Sequence, residues 1–177
     1  MKMLKLSEEY IQDLMVRMAH HSTAIEGNRI SLDGVSSILL REYVSEPMTI
    51  KELHEVENYK VFMKSMLEAI SSSEELSLKL IKDFHKALCK DAIAGEAGAF
   101  KKIQNMIAGA TFTPTRPYLV QEELTSWIAD AKMLFHNAND LKSFFNALAR
   151  LHIRLERIHP FSDGNGSLME MEGWAEA

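Results

Sequence analysis

A histidine, a carboxylate and two glycines fall within the eight-residue stretch HPFSDGNG, which runs from His159 to Gly166. His159 could accept a proton from a hydroxyl group, and Asp163 could hold a magnesium ion that bridges phosphates. Gly164 and Gly166 tolerate positive φ angles, so the backbone N–H groups around Asn165 could converge on an anion. The residue types and their spacing are therefore compatible with a site that transfers a phosphate-containing group.

Spacing alone also allows other interpretations of this stretch. Asp-Gly and Asn-Gly are ordinary turn dipeptides, and on that view His159 is a capping or surface histidine. An EF-hand calcium loop fails by register, because Leu168 takes the place of the required glycine when Asp163 is put first. A transition-metal site is a further alternative, since His152, Glu156 and His159 recur at i, i+4 and i+7 on one helical face.

Composition favours a single folded domain that works in a reducing compartment. The chain has 177 residues, of which 46% are hydrophobic and 25% charged, typical of a globular protein with a real core. The formal net charge of −5 argues against broad attraction to nucleic acid or anionic membrane. Cys89 is the single cysteine, no signal peptide is recognised, and no run approaches the roughly 18 apolar residues of a membrane span. We therefore predict a cytoplasmic protein.

Most of the sequence carries the periodicity of amphipathic helices, and these helices must position the terminal stretch. Glycines, two prolines and the β-prone ATFT interrupt the pattern between residues 92 and 117, which predicts a long loop with a small hairpin over roughly 103–113. The predicted fold is all-α with a β-hairpin flap. The predicted helices run from the cap Ser7 to the stop Gly27, over 32–41, from the cap Thr49 to Ile70, from the cap Ser77 to Leu88, and over 121–137 and 140–157.

The stretch HPFSDGNG resembles the signature of the Fic (filamentation induced by cAMP) family, HPFx[D/E]GNGRxxR, over all of 159–166. The preceding ARLHIRLERIHPF is similar to the helix that leads into that family's loop, and GAFKKIQNMIAGATFTPTRP is similar to its flap, which docks a target segment. The resemblance extends from about Ser7 to Gly166. It implies one Fic-like domain over 1–177, with an inhibitory helix over 1–30, a flap region over 92–117 and an active-site loop over 159–166.

Fic proteins are mostly known for adenylylation, the transfer of AMP from ATP to a hydroxyl side chain of another protein. By motif position, the resemblance implies that His159 deprotonates this hydroxyl and that Asp163 ligates Mg²⁺. It implies that Asn165 contacts the α-phosphate. The nucleotide-binding residues by this resemblance are Ser162, Gly164, Asn165 and Gly166, and the flap residues that would dock the target protein are Ile107, Gly109, Thr111 and Phe112.

The stretch STAIEGN in the first helix resembles the family's inhibitory motif, [S/T]xxxE[G/N], with Ser22, Glu26 and Gly27 in the defining places. The resemblance implies that Glu26 reaches into the ATP site, pairs with the second arginine of the signature and prevents productive placement of the γ-phosphate. Some members also use this glutamate to remove AMP from targets. An acidic residue in a last helical turn opposes the helix dipole, which favours a separate task for Glu26.

The sequence departs from the family where the signature requires arginines, since Ser167 and Glu170 occupy those two positions. An arginine binds two phosphate oxygens at once, whereas a glutamate repels them. A charge pair at about 4 Å is worth about 4 kcal/mol at an effective dielectric of 20. The chain also ends eleven residues after Gly166. We therefore expect an auto-inhibited adenylyltransferase with an altered or truncated motif end; the alternatives are a catalytically inactive module that binds a nucleotide or protein, and a deadenylylating member.

Overall fold

The structure is a computed structural model, and it describes residues 7–93, 95–107 and 109–166. Six α-helices lie within these residues, and Asn165 and Gly166 are also helical. No helix in this part of the chain is both long and apolar enough to cross a lipid bilayer. The predicted all-α class is confirmed. The helices are α1 (Glu8–Ile25), α2 (Leu32–Arg41), α3 (Ile50–Ser71), α4 (Leu78–Cys89), α5 (Val120–His136) and α6 (Leu141–Ile158), with a 3₁₀ turn at Pro117–Leu119 before α5.

The helices begin where the sequence supplies side chains that cap them. Ser7, Thr49 and Ser77 each accept a hydrogen bond from a backbone N–H three residues further on, at 3.1–3.2 Å. Such a cap satisfies one of the N–H groups that have no partner within the helix. Glu52 completes the predicted capping box by accepting a hydrogen bond from the N–H of Thr49 at 2.8 Å. Asp140 caps α6 through the N–H of Ser143.

The helices pack in pairs around one core. α3 lies against α4, α5 lies against α6, and α1 packs on both α2 and α3. The ring of Phe62 meets those of Tyr59 and Phe84 edge-on, at centroid distances of 5.7 and 5.5 Å. Trp127 in α5 donates its indole N–H to the carbonyl of Leu151 in α6 at 3.0 Å. This hydrogen bond holds α6 against α5, and it therefore also fixes the place at which the chain leaves α6.

The predicted hairpin is not confirmed, because the described residues of 103–113 form bends and turns and no strand. Residue 108 lies outside the described residues. Side chains close this segment in place of a backbone ladder: Gln104 donates through Nε2 to the carbonyl of Pro114 at 3.1 Å. Asn105 in this segment donates through Nδ2 to the carbonyl of Phe161 at 2.9 Å, and Phe100, just before the segment, forms an isolated antiparallel bridge with Phe161. The β-prone composition was outweighed by these contacts.

Candidate active site

His159 is the residue at which α6 ends, and it adopts a left-handed conformation with φ 47° and ψ 63°. Pro160 lacks an N–H and disfavours helical dihedrals in the residue before it, so the helix cannot continue. The N–H of His159 still donates to the carbonyl of Leu155 at 2.9 Å, which closes the last turn. A left-handed residue other than glycine costs about 1–2 kcal/mol, and the surrounding contacts must hold it there.

The imidazole of His159 is mostly enclosed, with 18% of the side chain exposed. Its Nδ1 atom has no hydrogen-bond partner among the described residues and lies 3.8 Å from Oε2 of Glu156, beyond hydrogen-bond distance. Burial lowers the pKa of His159 from 6.5 to about 4; the positive charge of Lys101 acts in the same direction, and Asp163 opposes it. At neutral pH the ring is therefore uncharged and able to accept a proton.

Phe161 anchors the loop that follows His159. Its side chain is completely buried and stacks on the ring of His85 at a centroid distance of 3.7 Å. The side chain of Asn165 holds both backbone groups of Phe161, accepting from its N–H and donating to its carbonyl, each at 2.9 Å. The side-chain amide of Asn165 therefore shapes the loop.

Gly164 turns the loop in a place where no side chain fits. Its φ is +70°, and a Cβ atom there would lie 2.3 Å from Sγ of Cys89. The N–H of Gly164 donates to Oδ1 of Asp163 at 2.9 Å, which orients this exposed carboxylate. Magnesium is usually held by one or two carboxylates together with substrate phosphates and water, so Asp163 fits such a role. Asn165 and Gly166 are in helical conformation, and backbone N–H groups at the start of a helix have no partner inside it.

His85 in α4 contacts this loop, although the sequence alone gave no reason to assign a function to this residue. Its Nδ1 accepts a hydrogen bond from the N–H of Gly98 at 2.8 Å, so Nε2 carries the proton and donates to the carbonyl of Asp163 at 2.9 Å. Burial lowers the pKa of His85, which keeps the ring neutral. The one sequence feature that could have indicated a role was the position of this histidine within the apolar stripe of α4. Histidines in such positions usually belong to the core, so this feature did not predict a contact with the loop.

The end of α1 reaches the same loop. A Cβ atom placed at Gly166 would lie 2.5 Å from Oε1 of Glu26, so the carboxylate of Glu26 touches the last glycine of the loop. Glu26 also lines a narrow cleft with Lys51, Asp163 and Gly164. The sequence separates Glu26 from this loop by more than a hundred positions, and the fold brings them together.

Comparison with known proteins identifies the family. A family model described as Fic/DOC matches residues 75–171, which is more than half of the chain. The chain belongs to the Fic/DOC family. The all-α architecture agrees with a crystal structure of a Fic domain-containing signaling protein from Bacteroides thetaiotaomicron, with a TM-score of 0.81 and 20% identity over 96% of this chain and 66% of that one.

Curated relatives of this Fic chain carry the name protein adenylyltransferase. Protein adenylyltransferase fic-1 of Caenorhabditis elegans is 30% identical over 152 residues, which is 83% of this chain and 28% of the relative. Protein adenylyltransferase Fic of Aedes aegypti is 30% identical over 164 residues, 90% of this chain and 30% of the relative. The Fic chain thus spans less than a third of the length of these relatives.

The structure also describes most of the remaining predicted residues of this Fic chain. Ser162 is exposed and faces Gly95, where a Cβ atom would lie 2.7 Å from Ser162 Oγ. Ser22 is buried inside α1, and Gly27, which has φ +93°, follows the end of that helix.

In the flap region Gly109 and Thr111 are exposed and Ile107 is partly buried. The ring of Phe112 lies 5.8 Å from the guanidinium of Arg157. Ser167 and Glu170 lie outside the described residues.

The transition-metal alternative is wrong for the described part of the Fic chain. No three His, Cys, Asp or Glu side chains within it are arranged to hold a metal ion. The predicted set of His152, Glu156 and His159 required one continuous helical face. His159 follows the last residue of α6 in a left-handed conformation, and its Nδ1 lies 3.8 Å from Oε2 of Glu156, so the three residues do not continue one helix.

Proposed function

We propose that this Fic domain is a protein adenylyltransferase, which transfers AMP from ATP to a hydroxyl side chain of another protein. The observation that carries the proposal is the neutral imidazole of His159 beside the loop 161–166. The names of the curated relatives support the same activity. Because this chain spans less than a third of these relatives, its target protein is to be identified by experiment.

The proposed reaction uses the groups of this loop in separate roles. His159 takes the proton of the target hydroxyl, whose oxygen then bonds to the α-phosphorus of ATP while the bond to the pyrophosphate oxygen breaks. The N–H groups of Asn165 and Gly166 stabilise the negative charge on the phosphate oxygens. Asp163 would hold the magnesium ion that accompanies ATP, and this ion would neutralise charge on the departing pyrophosphate.

We further propose that α1 restrains this activity through Glu26. Its carboxylate lies against Gly166, where an approaching phosphate would meet a negative charge. The end of α1 is held in place by Asn28, which donates through Nδ2 to the carbonyl of Glu52 at 3.0 Å and to Oε2 of Glu55 at 2.9 Å. Both acceptors belong to α3, so α1 cannot withdraw without breaking these two hydrogen bonds.

The flap is the proposed docking site for the target segment. The residues around Ile107, Gly109, Thr111 and Phe112 lie beside the stretch that carries His159, since Thr115 donates its N–H to the carbonyl of Arg157 at 2.9 Å. A backbone that pairs with an extended segment recognises main-chain groups and is largely independent of sequence. This arrangement would present a hydroxyl side chain from the target to the imidazole.

Incubation with ATP labelled at the α-phosphate, with magnesium, tests the proposal. The variants are the unaltered chain, the double variant Ser167→Arg with Glu170→Arg, and that double variant combined with His159→Ala. We expect label on protein to increase when both arginines are restored, because they would bind the β- and γ-phosphates. We expect no label in the combination with His159→Ala.

Two outcomes would contradict the proposal. Label that persists in His159→Ala would remove His159 from proton transfer. A double variant that is folded by circular dichroism, binds ATP and transfers no label to itself or to proteins of a cell extract would instead support a module that binds without catalysis.

A further inference from the structure

Lys101 is a buried lysine that the proposed reaction does not use. Only 4% of the residue is exposed. Its ammonium donates to Oδ1 of Asn105 at 2.8 Å and to the carbonyl of Ile158 at 3.2 Å. Its backbone N–H donates to the carbonyl of Pro160 at 2.9 Å. Burial of an ammonium group is unfavourable unless acceptors replace water, so these contacts account for its position.

Asn105 extends the same set of contacts. Its Nδ2 donates to the carbonyl of Phe161 at 2.9 Å, while its Oδ1 receives the ammonium of Lys101. The carbonyls of Ile158, Pro160 and Phe161 therefore all accept hydrogen bonds from two residues of the flap region. We call these three hydrogen bonds, together with the one between Lys101 and Asn105, the carbonyl clasp. The clasp encloses His159 on both sides along the chain.

We propose that Lys101 is a positioning residue for His159, and that with Asn105 it holds the left-handed turn that directs the imidazole into the site. The proposal rests on the proposed role of His159 as proton acceptor. A backbone held in an unfavourable region needs contacts that outweigh the strain. The clasp supplies them at the carbonyl before His159 and at the two carbonyls after it.

The charge of Lys101 acts on the same ring. Among residues 7–166 as the structure describes them, the charged or titratable groups that act on His159 are Glu156 from its own helix, Asp163 from the loop and Lys101 from the flap region. Burial is the main reason that the pKa of His159 is low, and the ammonium of Lys101 lowers it further. Burial also lowers the pKa of Lys101, to about 8, so most of the population is still charged at pH 7. A neutral side chain at 101 would lose both the two hydrogen bonds of the ammonium and this charge.

NMR titration of the His159 ring in the full chain, without nucleotide, tests the proposal. The variants are Lys101→Met, Lys101→Arg and Lys102→Met; Lys102 is the matched control because its side chain is 84% exposed. The His159 resonance is assigned by its loss in His159→Ala. We expect an upward shift of the pKa of His159 in Lys101→Met, a low value retained in Lys101→Arg and no change in Lys102→Met. An unchanged pKa in folded Lys101→Met would overturn the proposal.

A second variant keeps the proposal testable if Lys101→Met does not fold. Asn105→Ala preserves the charge of Lys101 and removes the clasp hydrogen bonds that Asn105 makes. We expect amide hydrogen exchange at the N–H of Lys101 to become about tenfold faster, while the turn amide of Leu119 is unaffected. Unchanged exchange at Lys101 would overturn the proposal. Neither readout requires ATP or transfer, so failure of the clasp and failure of the adenylyltransferase proposal are distinguishable.

Discussion

Replacement of Gly164 by alanine tests whether the active-site loop depends on contact between its backbone and α4. Gly164 adopts φ +70°, which alanine rarely adopts, and the added Cβ atom would lie 2.3 Å from Cys89 Sγ and 3.2 Å from His85 Nε2. Cys89 and His85 are both buried in the core, so neither can move away without disturbing other contacts. We expect the substitution to destabilise the protein and to displace the loop.

The expected magnitude has two parts. The left-handed backbone costs alanine about 1–2 kcal/mol, and an overpacked core contact costs about 1–3 kcal/mol. Their sum is about 2–5 kcal/mol. At about 2–4 °C for each kcal/mol in a protein of this size, Tm should fall by about 10 °C. Gly109→Ala is the matched control, because Gly109 has φ +78° and a Cβ atom added there would have no heavy atom within 4 Å. Gly109→Ala should therefore lower the free energy of unfolding only by the cost of the left-handed backbone conformation.

Thermal unfolding followed by circular dichroism measures both variants, and a third comparison isolates the steric part. In a Cys89→Ala background the closest atom is absent and only the 3.2 Å contact with His85 Nε2 remains, so Gly164→Ala should then cost little more than Gly109→Ala. A Gly164→Ala protein that is no less stable than Gly109→Ala in the original background would refute the steric argument. The loop would then be free to move away from α4.

Three further predictions follow from the site. Asn165→Ala should lower the free energy of unfolding by about 2–3 kcal/mol in urea titration, because two buried hydrogen bonds to the loop backbone are lost; an effect below about 0.5 kcal/mol would contradict their role. Burial lowers the pKa of His159 to about 4 and also lowers the pKa of His85. In the unfolded chain both imidazoles take up protons near pH 6.5, so the free energy of unfolding should fall as the pH decreases from about 6.5 to about 4. Denaturation at several pH values should show a smaller dependence in His159→Ala. Glu26→Gly should increase AMP transfer weakly in this chain, where it removes only the repulsion of phosphate, and strongly after Glu170→Arg, where it also frees the arginine to bind the γ-phosphate; an equally large effect in the unaltered chain would show that Glu26 acts without that arginine.

Local signals made the helices predictable from sequence. The capping side chains of Ser7, Thr49 and Ser77 act within three residues of their own positions, so each predicted start is also the observed one. The end of α6 was also predictable from a local signal, because Pro160 directly restricts the conformation of His159. The flap hairpin was the exception. Its composition favours strands, but the segment bonds to the loop after α6 through side chains, and periodicity cannot reveal this.

Predictions about the site depended more strongly on tertiary contacts. The approach of Glu26 to Gly166 was expected only through the family resemblance, since no spacing rule links residues so far apart. Asn165 was expected to contact the α-phosphate, which stays a prediction, and the hydrogen bonds of its side chain to the backbone of Phe161 were not foreseen. His85 and Lys101 received no role, because a buried histidine or lysine shows its function only through the groups that the fold brings against it.

Titration of the isotope-labelled chain with ATP and magnesium, followed by amide NMR, tests most directly whether the loop after Asp163 binds phosphate beside His159. We predict that the amide resonances of Gly164, Asn165 and Gly166 shift first, together with the ring of His159. Because Ser167 and Glu170 replace arginines, the shifts should require high ATP concentrations and should saturate at lower ones once both arginines are restored. Shifts confined to other parts of the chain in both proteins would contradict a phosphate site at this loop.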